Sequence, residues 1–230
     1  MRRIGIIIAR GGSKRIHRKN IKSFSGKPII AYPIKVALES GLFSEVMVST
    51  DDEEIKSISE SLGAAVPFLR SEKNADDYAT SFDVVKEVLE QYEKKSECYD
   101  QACLIYPTAV FISVSLLKNI LTLLDEGHFD SVFPVVPYNH PIQRSMILDD
   151  SGRVKYKYPK NKLVRTQDLE TSFHDSGQFY MFNVSKVLTN GQLITENSGG
   201  YPVSNIDFHD VDSLSDWEVA EFKYKFKHAQ

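Results

Sequence analysis

The residues best able to do chemistry stand at the start of the chain. Ile4-Gly5-Ile6-Ile7-Ile8 runs into Ala9-Arg10-Gly11-Gly12-Ser13-Lys14-Arg15-Ile16-His17-Arg18-Lys19-Asn20. Two glycines let backbone N–H groups come close to an anion. Arg10, Lys14 and Lys19 carry the charge to neutralise it, and Ser13 and Asn20 add short hydrogen-bonding side chains. This is a loop suited to a triphosphate. Its spacing is neither the Walker pattern nor the dinucleotide Gly-x-Gly-x-x-Gly. A solvated basic loop and a nucleic-acid arm are the competing readings. The net charge of -3 argues against the second, because nucleic-acid affinity rests on an extended basic face that releases counterions.

A second constellation lies near the other end. Asp207, Asp210, Asp212 and Asp216 crowd one segment. If Asp210-Val211-Asp212 is extended, both carboxylates point the same way. Paired carboxylates beside phosphate oxygens suit Mg²⁺. Capping of the helix that carries Trp217, by Asp212 or Ser213, is the competing reading and would absorb one of these residues. Between the two ends, Arg70 precedes Asp76, Asp77, Thr80 and Ser81, a set that helix capping and a surface ion pair would also explain. Arg165 is suited to a carboxylate ligand, which a guanidinium grips with two parallel bonds, and equally to a solvated loop.

The elements that must position these groups follow an alternating pattern. Pro28 suits the first turn of a helix with the apolar stripe Ile30, Ile34, Ala37 and Leu38, ending at Gly41. Residues 45–50 read as a strand, and Thr50-Asp51-Asp52-Glu53 as a capping box for a helix stopping near Gly63. Thr80-Ser81-Phe82-Asp83 opens a helix with Val84, Val88 and Tyr92 on one side. Residues 102–106 and 131–136 read as further strands, with a helix marked by Leu116, Leu117, Ile120, Leu121 and Leu124 between them. This order predicts an α/β fold: a mostly parallel, Rossmann-like sheet with helices on both faces. Ligands of such sheets sit beyond the carboxyl ends of the strands. The glycine loop, the Ser49-Thr50-Asp51 turn and the Pro107-Thr108 turn all fall there. Residues 137–177 break the rhythm and are polar, with Asp149-Asp150-Ser151-Gly152 as a hairpin turn.

A chain of 230 residues accommodates one such domain with an appendage. No apolar run is long enough to cross a bilayer, and the N-terminus does not read as a signal peptide. Cys98 and Cys103 lack metal-ligand spacing and point to a reducing cytoplasm.

Ala9-Arg10-Gly11-Gly12-Ser13-Lys14 followed by Arg18-Lys19-Asn20 resembles the signature of the acylneuraminate cytidylyltransferases, the CMP-sialic acid synthetase family. Ile8 and His17 stand where that family often carries prolines. Asp210-Val211-Asp212 with Asp216 and Ala220-Glu221 is similar to the family's C-terminal Asp-x-Asp element. Pro107-Thr108-Ala109 resembles its Gln-Pro-Thr-Ser turn, with Tyr106 in the glutamine's place. Ile142-Gln143-Arg144 after His140-Pro141, and His174-Asp175-Ser176-Gly177-Gln178-Phe179-Tyr180, look more like the pseudaminic acid cytidylyltransferase branch.

The resemblance implies a fold of the nucleotide-diphospho-sugar transferase type, one domain over residues 1–230. It implies transfer of CMP from CTP to the anomeric hydroxyl of a nine-carbon 2-keto sugar acid. Arg10 and Lys19 would act on the phosphates, and Asp210 and Asp212 would hold Mg²⁺. Ala9, Gly11, Gly12, Ser13, Asn20, Arg70, Asp77 and Ser81 would line the nucleotide. Tyr106, Thr108, Gln143, Arg144, Arg165, Gln178 and Tyr180 would meet the sugar. Residues 137–177 would form a dimerisation extension closing over the partner's sugar site, in a cytoplasmic homodimer without nucleic acid or membrane partners. N-acetylneuraminic, legionaminic and 3-deoxy-manno-octulosonic acids are alternative acceptors. A CTP-binding regulatory protein without turnover is the alternative outside catalysis, and the Asp210/Asp212 pair disfavours it.

Overall fold

The computed structural model describes residues 1–228. In chain order these form β1 (Arg3–Ile8), β2 (Ser23–Phe24), β3 (Lys27–Pro28), α1 (Ala31–Ser40), β4 (Glu45–Ser49), α2 (Glu53–Ser61), α3 (Glu72–Ala75) and α4 (Ser81–Glu93). There follow β5 (Gln101–Ile105), α5 (Val114–Glu126), β6 (Ser131–Pro137), β7 (Met146–Leu148), β8 (Val154–Tyr156) and β9 (Phe173–Asp175). The chain ends with β10 (Phe179–Asn183), α6 (Val184–Asn190), β11 (Ser198–Pro202) and α7 (Leu214–His228).

The main sheet has the order β11-β6-β10-β5-β1-β4, with β9 beside β6. β1 runs parallel to β4 and β5, and β11 parallel to β6. β10 is antiparallel to both β5 and β6, and β9 to β6. The fold is therefore the expected α/β sheet, mostly parallel, with a reversed strand at its centre.

Strand alternation sorts the core into two layers. Ile4, Ile6, Met47 and Leu104 face α4 and α6, against Val85, Val88, Leu89, Tyr92 and Val187. Ile7, Val46, Val48 and Ile105 face α1, α2 and α5, against Ile34, Ala37, Ile55, Leu117 and Ile120. A third cluster joins Phe24, Ile16, Ile29 and Phe111 to Val211, Trp217 and Ala220. It anchors α7, and the aspartate segment before it, next to the glycine loop.

Three local expectations are corrected. Pro28 does not open α1. It pairs with Ser23 in the β2–β3 hairpin, whose turn residues Ser25 and Gly26 both have positive φ, as a tight right-twisted hairpin requires. α1 starts at Ala31, where Pro33 falls in the first turn and its missing N–H removes no helical bond. Leu38 is 41% exposed and lies off the buried stripe. α2 is capped by Asp52, whose carboxylate accepts the Glu54 and Ile55 N–H groups, and not by Thr50. The Thr80/Asp83 capping box at α4 is present with both reciprocal bonds.

Residues 137–177 leave the sheet edge, form the β7–β8 hairpin and return through β9. The hairpin turns between Asp149 and Gly152 (φ 78°). Met146, Leu148, Val154 and Leu163 in this excursion are exposed. No helix among the described residues is long and apolar enough to cross a membrane.

Candidate active site

The loop after β1 is fixed from below. Ala9 N–H donates to the Ser49 carbonyl (2.9 Å), joining the loop's base to the end of β4. Gly11 N–H donates to Asp51 Oδ1 (2.9 Å), and Asn20 Nδ2 donates to the Arg10 carbonyl (2.9 Å). Asp52 lies directly beneath Gly11, where a Cβ would sit 2.7 Å from its Oδ2. That contact requires glycine. While capping α2, Asp52 also takes a forked bond from Arg18, Nη2–Oδ1 2.9 Å and Nη1–Oδ2 2.5 Å. Arg18 reaches it from a left-handed backbone conformation (φ 52°). This guanidinium holds the Asp52 carboxyl at about 2.

Above the loop is a cavity of about 270 Å³. Arg10, Ser13, Lys14, Lys19 and Asn20 line one side, Arg70, Ala79, Ser81 and Val84 another, and Tyr106, Pro107 and Thr108 a third. Arg10 Nη1 donates to Asp77 Oδ1 (2.8 Å) and to the Asp76 carbonyl (3.0 Å). Lys14 pairs with the other Asp77 oxygen. Lys14 and Arg10 together hold the Asp77 carboxyl below its usual range. Arg70 is 8% exposed and donates only to Ser49, at Oγ (3.0 Å) and the carbonyl (2.5 Å). Burial lowers its pKa to about 10, and it has no ion-pair partner among the described residues. A buried charge without a counter-ion is costly, so this guanidinium gains from any electron-rich ligand in the cavity.

The aspartates stand at the same rim. Val211 is fully buried, so Asp210 and Asp212 on either side of it turn the other way. Lys19 Nζ donates to the Val211 carbonyl (2.8 Å) and lies 3.7 Å from Asp212 Oδ1. Arg15 Nη1 lies 2.7 Å from Asp212 Oδ2. Partial burial lowers the Lys19 pKa. Partial burial, reinforced by the Asp212 charge, raises that of Asp210. Capping of α7 falls to Ser213 and Asp216. Ser213 N–H and Oγ reach Asp216 Oδ2 (2.8 and 2.7 Å), and Asp216 N–H returns to Ser213 Oγ. That leaves Asp210 and Asp212 free of the capping role. Asp207 pairs with Lys227.

The structure thus brings together Arg10, Ser13, Lys19, Asn20, Arg70, Asp77, Ser81, Tyr106 and Thr108, with Asp212 at the edge. Ala9 and Gly11 support the loop from behind, and a Cβ at Gly12 would meet open space. Gln178 is buried, with Nε2 on the Asp207 carbonyl (3.3 Å) and Oε1 unpartnered. Tyr180 is buried behind Tyr106. Three expected sugar residues stand apart from the cavity, in the excursion. Gln143 donates to the Glu170 carbonyl, Arg144 to Thr166 Oγ1, and Arg165 is forked onto Asp168. Arg15, Asp51 and the Arg18–Asp52 pair also hold this site, beyond the residues expected from the sequence. Their signal was the density of charge after Gly12 and the doubled aspartate at the end of β4.

A family model described as cytidylyltransferase matches residues 4–189. Pseudaminic acid cytidylyltransferase of Campylobacter jejuni is 38% identical over 229 residues, covering 99% of this chain and 98% of the relative. N-acylneuraminate cytidylyltransferase of Escherichia coli is 31% identical over 224 residues, covering 94% of this chain and 51% of that one. Among solved structures, CMP:2-keto-3-deoxy-manno-octonic acid synthetase complexed with CTP aligns with a TM-score of 0.73 at 15% identity. It covers 99% of this chain and 100% of that one, a likeness of fold.

Proposed function

The chain belongs to the cytidylyltransferase family, and from that premise we propose that it transfers CMP from CTP to the anomeric hydroxyl of pseudaminic acid, releasing pyrophosphate. The observation that carries the reading is the cavity itself: Arg10, Lys14, Lys19 and the buried Arg70 converge on a space beyond the carboxyl ends of β1, β4 and β5. The near-full-length match to pseudaminic acid cytidylyltransferase favours that acid over N-acetylneuraminic acid.

The residues act by charge and position. The sugar hydroxyl attacks the α-phosphorus as the bond to pyrophosphate breaks. Negative charge gathers on phosphate oxygens, and fixed cations stabilise that state more than the ground state. Arg10 is held by Asp76 and Asp77, and Lys19 by the Val211 carbonyl, so neither must be ordered during the reaction. Holding both substrates in one cavity supplies much of the remaining acceleration.

The donor set at the rim fits Mg²⁺. Asp210 and Asp212 are hard oxygen ligands beside the phosphate-binding cations, and Asp216, not these two, satisfies the start of α7. When bound there by Asp210 and Asp212, the ion supplies Lewis-acid polarisation of phosphate oxygens. Lys19 and Arg15 both pair with Asp212.

Residues 137–177 serve as the extension of a cytoplasmic homodimer. Exposed Met146, Leu148, Val154 and Leu163 supply the apolar contact. Arg165, 70% exposed and held only by Asp168, is available to the partner's sugar carboxylate. The test is pyrophosphate release with CTP, Mg²⁺ and a panel of pseudaminic, N-acetylneuraminic, legionaminic and 3-deoxy-manno-octulosonic acids. Pseudaminic acid should give the highest kcat/KM. Preference for another acid would overturn the substrate, and CTP binding without turnover would favour the regulatory reading.

A further inference from the structure

One side of the cavity, formed by Arg70, Asn74, Ala79, Ser81 and Val84, carries none of the loop cations that meet the phosphates. With a triphosphate on Arg10, Lys14 and Lys19, this side is left for the nucleobase. Val84, Ile8 and Pro107 give the cavity apolar surface suited to a flat ring.

Asn74 supplies the carboxamide of this side, and Glu87 fixes its orientation. Glu87 stands one turn along α4 from Val84. Its Oε2 accepts from Asn74 Nδ2 (2.5 Å) and from Ser71 Oγ (3.1 Å), and its Oε1 accepts the Ser71 N–H (2.8 Å). One carboxylate thus grips α3 at Asn74 and at the residue before its first turn.

That grip leaves the amide one orientation. A carboxylate only accepts, so the Asn74 nitrogen is the atom that faces Glu87. The Asn74 carbonyl oxygen points the other way, and no donor among the described residues reaches it. Asn74 is partly exposed and lines the cavity. Arg70, buried on the same side, can only donate. This side therefore sets a donor and an open acceptor together. Cytosine carries the matching edge, with O2 and N3 as acceptors and its 4-amino group as donor. Uracil would set its O4, an acceptor, against the Asn74 oxygen.

Resting on CTP as the donor substrate proposed above, we infer that Asn74 is a specificity-determining residue for the nucleobase and Glu87 its positioning residue: the Asn74 carbonyl, held in place by Glu87, accepts a hydrogen bond from the 4-amino group of cytosine.

The test is calorimetric binding, with Mg²⁺ and no sugar acid, of CTP and of 2-pyrimidinone riboside triphosphate, which lacks only the 4-amino group. Wild type should bind CTP roughly tenfold or more tightly than the analogue, the worth of one buried hydrogen bond. Asn74→Leu keeps the bulk and removes the carbonyl, so it should weaken CTP and leave the analogue unchanged, bringing the two affinities together. Glu87→Gln should lower the ratio as well, because a glutamine amide can meet either end of the Asn74 amide. Added to Asn74→Leu it should lower the ratio no further, since both act through one oxygen. A purely structural role would weaken both triphosphates equally. The wild-type ratio retained in Asn74→Leu or in Glu87→Gln overturns the inference. Discrimination of this kind in a protein that releases no pyrophosphate with any acid overturns the reaction and leaves the inference standing. A wild type that binds no CTP overturns both.

Discussion

Asp52→Asn is the sharpest probe of how the glycine loop is held. The Asp52 side chain is 21% exposed, and its carboxyl is held at about 2 by the Arg18 fork. Against an unfolded value near 3.9, that gap corresponds to about 2.5 kcal/mol of stability at neutral pH. Asparagine keeps an oxygen for the Glu54 and Ile55 N–H groups, so most of the helix cap survives, and what is lost is the charged fork. Urea unfolding at pH 7 should therefore show the variant less stable by about 2 kcal/mol. The sign with pH is fixed. A carboxylate with a depressed folded value contributes above its unfolded value, and the contribution is lost as pH falls through the folded one. The gap between wild type and variant should shrink to roughly half at pH 3 and nearly close at pH 2. A gap of the same size at pH 3 and pH 7, or none at pH 7, would refute the assignment of the stability to this ion pair. Because Asp52 also lies against Gly11, the CTP KM should rise in the same variant.

Three further substitutions separate the remaining roles. Arg10→Ala should abolish measurable CTP binding by calorimetry while leaving the unfolding midpoint within a degree or two of wild type, since Arg10 touches only the rim at Asp76 and Asp77. Asp212→Asn should lose Mg²⁺-dependent turnover by a factor of roughly a hundred or more and stay folded, because Asp216 caps α7; full turnover would remove Asp212 from the metal site. Gly11→Ala should lower activity at least tenfold, as its Cβ meets Asp52 Oδ2 at 2.7 Å and either the loop or the Arg18 fork must move; unchanged kinetics would show that the loop's path is not set by this contact.

The parts of this protein legible in its sequence are those where local chemistry and local structure coincide. β1, β4 and β5 are short apolar runs that stop at Gly11, Asp51 and Pro107, so both the strands and their active edge could be read. Buried Val211 between two aspartates signals outward-facing carboxylates for the same reason. What could not be read depends on distant partners. Phe179–Asn183 is apolar enough for a strand, yet only its insertion between β5 and β6 makes it central and antiparallel. Arg70 looks like any surface arginine until the end of β4 buries it against Ser49. Thr50 and Asp52 compete for one cap, and the carboxylate wins by accepting two N–H groups while also taking Arg18. Pro28 fits a helix start on its own, and the left-handed Ser25-Gly26 turn commits it to a hairpin instead. The excursion carries Gln143, Arg144 and Arg165 away from this chain's own cavity, a consequence of its topology that residue type does not reveal.

The proposed transfer of CMP can be followed at the phosphorus atoms themselves. CTP, Mg²⁺ and pseudaminic acid are incubated with the protein and observed by ³¹P NMR. Triphosphate signals should decay as one phosphodiester resonance and one equivalent of pyrophosphate grow together, with no growth when the acid is left out. Release of inorganic phosphate without a phosphodiester, or growth of CMP independent of the acid, would contradict it.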